Sequence, residues 1–140
     1  MNTGVEIIKN KEDILAIVIY SDYHKEGTNF FTPADFSQQL AFISRKKGAV
    51  IQAHTHKIIK RDVHLTQEVL CVRKGTLKVN LYDNDQKYFD SRELHAGDVV
   101  LLASGGHGFE FLDDVEMVEI KQGPYVNDDG KVGFEGIEKK

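Results

Sequence analysis

Short apolar runs broken by turn residues recur along the whole chain: ILAIVIY, QLAFIS, AVIQAHTH, EVLCVRK, TLKVNLYD, KYFDSREL, DVVLLA, HGFEFL and VEMVEIKQ. Between them stand KKG, KG, DND, AGD, SGG and DD. Runs this short, at fairly even spacing, predict strands and an all-β sandwich or barrel. Alternation assigns the faces, because strand side chains point to opposite sides with period two. His54 and His56 then share a face with Val50 and Gln52. Glu68 shares one with Leu70 and Val72, leaving Val69, Cys71 and Arg73 on the other. Leu77, Val79 and Leu81 form an apolar face opposite Lys78, Asn80 and Tyr82, and His107, Phe109 and Phe111 lie together. Lys74-Gly75 predicts a hairpin turn between EVLCVRK and TLKVNLYD, the glycine taking positive φ. PADFSQQLAF is the best place for a helical turn, with Pro33 at a first helical position. NDDGKVGFEGIEKK is polar and glycine-rich and reads as a surface extension or a frayed tail.

Composition narrows the class. The chain has 140 residues, 41% of them hydrophobic, which suits one domain over 1–140 with its own core. Its net charge of −4 offers no basic field for a phosphate backbone, so nucleic acid is not expected as a partner. Cys71 is the only cysteine, so no internal disulfide can form. No apolar run is long enough to span a bilayer, and MNTGVEIIKNKEDILAIVIY lacks a signal-peptide core, so the expectation is a cytoplasmic protein with no membrane partner. Outward apolar residues such as Ile51, Val69 and Cys71 need covering.

The candidate chemistry is histidine and carboxylate. Imidazoles at i and i+2 of a strand project side by side and can bind one metal ion. His54 and His56 are followed by Glu68 at the start of a strong strand and by His107 at the start of a later one. Three imidazoles and one carboxylate on a six-coordinate ion leave positions open for water, oxygen or substrate.

These residues resemble the motifs of the cupin superfamily. Its first motif is Gly, five residues, His-x-His, three or four residues, Glu, six residues, Gly. Here Gly48 stands five residues before His54-Thr55-His56, and Glu68 stands six residues before Gly75; eleven residues separate His56 from Glu68. Its second motif is Gly, five residues, Pro-x-Gly, two residues, His, three residues, Asn. Here Gly97 opens GDVVLLASGGHGFEF, with Ala103 for Pro, Gly105 in place, His107 one residue early and Phe111 for Asn. The resemblance covers about 41–122, with N-terminal strands before it and a C-terminal extension after it. It implies a double-stranded β-helix, the jelly-roll barrel of cupins, and a symmetric homodimer that covers the outward apolar residues of its sheet. It also implies one divalent metal ion (zinc, iron, manganese or nickel) held by His54, His56, Glu68 and His107. His64, inside the long insert, is the alternative to Glu68. Gln38, Gln52 or Gln67 could fix the imidazole tautomers from behind. LLASGGHGFEF and EIKQGPY further resemble small single-domain cupins that accompany surface-polysaccharide or nucleotide-sugar pathways.

The insert KIIKRDVHLTQ carries Lys60 and Arg61 beside the expected pocket mouth. They are either a solvated charge pair or, with Gln52, contacts for a small anionic or sugar-like molecule. Lys121 could add another cation. The expected function is a metal-dependent enzyme of isomerase or epimerase type on such a molecule, with no organic cofactor. No catalytic residue is assigned; His64 and Tyr88 are the candidates for moving a proton. The alternatives are a metal-dependent dioxygenase and a non-catalytic sensor that binds a small molecule. A further alternative keeps the barrel without the metal, with a histidine as general base.

Overall fold

A computed structural model describes residues 2–138, the side chains at 128 and 129 excepted, so 139 and 140 of the C-terminal extension lie outside it. The chain is all-β. Ten strands run in order: β1 (Val5–Asn10), β2 (Asp13–Ile19), β3 (Gly27–Phe30), β4 (Ala41–Ser44), β5 (Glu68–Lys74), β6 (Leu77–Tyr82), β7 (Tyr88–Leu94), β8 (Val99–Leu102), β9 (Gly106–Phe111) and β10 (Glu116–Lys121). One 3-10 turn, Asn127–Gly130, follows them. Every strand pair is antiparallel. Five strands form one sheet in the order β1-β2-β8-β5-β10, three form a second in the order β7-β6-β9, and β3 and β4 pair alone. None of the three sheets closes on itself as a barrel. Among the described residues no helix is long and apolar enough to cross a membrane.

The core lies between the larger two sheets. Register places Ile8, Ala16, Leu102 and Glu68 in one transverse row, with Lys121 at its end. The next row runs Glu6, Val18, Val100, Leu70 and Glu119. Ala16, Val18, Leu70, Val100 and Leu102 from this face pack with Leu77, Val79 and Leu81 of β6 in one buried cluster. Phe109 and Met117 pack against it. The inner face is therefore apolar in the middle and ionic where β5 meets β10. At the opposite end, Arg92 of β7 forks onto Glu6 of β1, with Nε 2.9 and 3.0 Å from its two oxygens and Nη2 2.6 Å from Oε2. Tyr20 donates to the same carboxylate at 2.7 Å. This clamp ties the two sheets together and holds the Glu6 carboxyl below its ordinary range, chiefly through the Arg92 hydrogen bonds.

Three local expectations need correction. EVLCVRK and TLKVNLYD both form strands, but they do not pair. β5 lies between β8 and β10, and β6 between β7 and β9, so Lys74-Gly75 crosses from one sheet to the other. Gly75 does have positive φ (85°), and a side chain there would run into the Asp114 carbonyl. AVIQAHTH is not a strand: after the turn at Gly48 no strand pairs with it, and its backbone finds no ladder. PADFSQQLAF contains a single turn, Phe36 N–H donating to Pro33 O at 3.1 Å, rather than a helical one. Cys71 is half-buried on the outer face, where its alternation with Glu68 placed it. Strands β1 and β3 were not among the expected runs.

Candidate functional site

Glu68 opens β5 on the core-facing side and is only 6% exposed. The sequence placed it there by alternation: Leu70 and Val72, at i+2 and i+4, are buried with it. A buried carboxylate needs partners. Its main one is His107 of β9, in the opposite sheet, whose Nε2 lies 2.7 Å from Glu68 Oε2. With Glu68 ionised, His107 donates from Nε2, and a neutral ring keeps its lone pair on Nδ1.

Two residues of β10 complete the cluster. Lys121 stands directly across from Glu68, and Glu119 across from Leu70 on the same face. The His107 hydrogen bond holds the Glu68 carboxyl down at about 2, against the opposing effect of burial, with help from Glu119 and Lys121. Glu119 shifts the other way. Its hydrogen bond to Glu68, then burial and the charge of Glu68, raise it. Of this carboxyl pair Glu119 is therefore the first to take up a proton as pH falls, and Glu68 the last to lose its charge. The sequence left Glu119 without a role, although its alternation with Lys121 along β10 was the available signal.

Glu68, His107 and Lys121 line a cavity of about 560 Å³. Thr66, Asn84 and Gln86 offer hydroxyl and amide groups there, and Phe109 and Phe134 offer aromatic surface. Gln67, next to Glu68, is buried and structural. It donates from Nε2 to Ala103 O (3.4 Å), while Gln38 Nε2 donates to its carbonyl (3.0 Å).

The remaining sequence candidates lie elsewhere. His54 and His56 are exposed on the loop between β4 and β5, their rings 5.2 Å apart. His54 Nδ1 is 2.8 Å from the Gln52 carbonyl. Gln52, Lys60 and Arg61 are exposed along the same loop and do not line the cavity. His64 borders a separate small depression of about 140 Å³. Tyr88 shares a hydrogen bond of 2.8 Å with Ser91 on β7. The structure thus brings together Glu68 and His107 as one pair, and His54 and His56 as another. Among the described residues no group of three or more His, Cys, Asp or Glu side chains is gathered as a metal-binding set. His107 Nε2 lies on Glu68 Oε2 at the cavity, while His54 and His56 are exposed on the loop and do not line that cavity.

Compared with protein-family models, with curated proteins and with solved structures, the chain gives no match.

Proposed function

We propose that the chain is a small cupin-type jelly roll whose cavity takes a sugar-like molecule and moves a proton next to its carbonyl, as an isomerase or epimerase does. The observation that carries this reading is the 2.7 Å bond between His107 Nε2 and the buried Glu68 carboxylate at the cavity wall. A carboxylate behind an imidazole fixes its tautomer and orientation and stabilises the imidazolium that forms when it accepts a proton. His107 is the base: it takes the proton from the substrate carbon, whose electron pair moves into an enediolate, and the imidazolium delivers that proton to the adjacent carbon while the hydroxyl proton passes to the other oxygen through water, which gives isomerisation; inversion at the original carbon instead needs the proton returned to its opposite face. Lys121, across from Glu68, supplies positive charge near the developing oxyanion. The mixed lining favours a polyhydroxylated ligand, because hydroxyl and amide side chains alternate with aromatic faces.

The test is a panel of phosphosugars and nucleotide sugars, scored by thermal shift and by proton exchange into the sugar from deuterated water. A sugar that stabilises the wild type and exchanges its α-proton supports the enzyme. Exchange should fall by about 10²–10⁴-fold in His107→Gln, the usual contribution of a general base. Stabilisation without exchange supports a sensor instead.

Metal binding by His54, His56, Glu68 and His107 is the second reading. It is favoured by the contact of His54 Nδ1 with the Gln52 carbonyl, which leaves Nε2 as the ligating nitrogen. It requires the loop to fold toward the cavity and the Glu68–His107 bond to open. Elemental analysis of protein purified without a metal-affinity tag tests it: about one equivalent is expected, and loss of that metal in the His54→Ala/His56→Ala double variant. The single cysteine, Cys71, fits a reducing compartment such as the cytoplasm. A symmetric homodimer completes the proposal.

A further inference from the structure

The segment after β10 leaves the five-stranded sheet at Lys121, and Lys131 to Phe134 line the same cavity as Glu68 and His107. The segment then docks on the outer face of the three-stranded sheet. Asn80 and Tyr82 of β6 point to that face, opposite Gly108 and Gly106 of β9. Both side chains are buried, which an outward face requires something to cover. The cover is the segment itself. Phe134 packs edge-on against Tyr82, ring centroids 5.0 Å apart. Tyr82 donates its hydroxyl proton to Glu138 Oε2 and accepts from Ile137 N–H at 2.8 Å. Asn80 Nδ2 donates to Glu138 Oε2 at 2.9 Å and to Glu110 at 3.0 Å.

The glycines around His107 are shaped to this docking. A Cβ at Gly108 would collide with the Glu138 carboxylate, and one at Gly106 would come within 2.9 Å of the Phe134 ring. The bare backbone at Gly106 and Gly108 receives the protein's own C-terminal segment.

We infer that residues 131–138 are a latched wall of the ligand cavity, with Glu138 as the latch on Tyr82 and Asn80, and with Lys131 and Phe134 as part of the binding surface. The choice of a sugar-like occupant rests on the function proposed above; the wall itself does not. Lys131 and Phe134 come from a stretch with no strand ladder of its own, so the latch bonds and the Phe134–Tyr82 contact fix their positions. Phe134 offers a flat apolar face to a sugar ring, and Lys131 a cation to an anionic group on it.

The experiment uses the full chain and two variants that break the latch differently: Glu138→Ala removes the carboxylate, and Gly108→Ala fills its seat. Amide exchange over 131–138 should rise several-fold in both, while β2 and β8 stay protected. Carbethoxylation of His107 by diethyl pyrocarbonate, mapped by mass spectrometry, should also rise several-fold, with exposed His54 and His56 as internal controls. A segment that stays protected in both variants overturns the latch. A released segment with an unchanged His107 rate overturns the wall. In a separate arm, a sugar that stabilises the wild type should lose its thermal shift in Phe134→Ala. If that sugar binds both proteins alike, the sugar reading stands and the wall is overturned. If no sugar binds but His107 responds to the latch, the wall stands and the sugar reading fails.

Discussion

Glu68 shows how one side chain links fold to chemistry. It occupies a core-facing position in the row of Ala16 and Leu102, yet it is charged because His107 and Glu119 hydrogen-bond it there. Its carboxyl titrates near 2 instead of 4.5. A depressed carboxyl stabilises the fold fully above its ordinary value, and that contribution is lost as pH falls toward its folded value. Glu119, raised, contributes with the opposite sign: its share is present at low pH and lost as pH rises. Replacing Glu68 with Gln should therefore flatten the wild type's loss of stability between about pH 4.5 and 2, read as urea midpoints across that window. The partnership of Glu68 with His107 could be anticipated only as joint membership of a site. Their residue types and positions at strand starts were legible, but no pattern in the sequence says that they bond each other rather than a shared ion.

At the scale of elements, the strands were largely legible as short apolar runs bounded by turn residues. EVLCVRK, TLKVNLYD, KYFDSREL, DVVLLA, HGFEFL and VEMVEIKQ all form strands. Pairing was not legible, since a ladder is decided by which edge meets which. The β5–β6 connection is the instructive case. Gly75 was correctly given positive φ, but it serves a crossing between sheets, pressed against the Asp114 carbonyl. Gly75→Ala should cost about 1–3 kcal/mol or more in urea unfolding, because it combines left-handed backbone strain with a backbone collision. The clamp between β1 and β7 gives a second expectation. Arg92→Ala leaves Glu6 and Asp90 without their shared cation and should cost about 1.5–3 kcal/mol; Arg92→Lys should recover only part of it, lacking the fork.

On the whole molecule, the outer face of the five-stranded sheet carries apolar rows from edge to edge. Ile7, Ile17, Leu101, Val69 and Ile120 form one, and Val5, Ile19, Val99, Cys71 and Val118 the next. Ile17 and Leu101 are fully buried, whereas Val118 and Ile120 at the β10 edge are 42% and 53% exposed. The loop between β4 and β5 adds exposed Val50, Ile51, Ile58 and Ile59. Apolar surface of this extent fits the homodimer proposed above. The double variant Val118→Lys/Ile120→Lys should sediment as a monomer where the wild type sediments as a dimer, with the same circular dichroism. A wild type that sediments as a monomer would remove the dimer from the account.

By itself the sequence determined the all-β class, most of the strand positions and the inward face of Glu68, because burial of alternating residues is a local property of a strand. Which strands became neighbours, that His107 meets Glu68 across two sheets, that AVIQAHTH stays unpaired, and that the glycine-rich tail folds back onto Tyr82 were decided by the tertiary structure. Each of these depends on partners distant along the chain competing for the same edges and donors, and local periodicity carries no information about that competition.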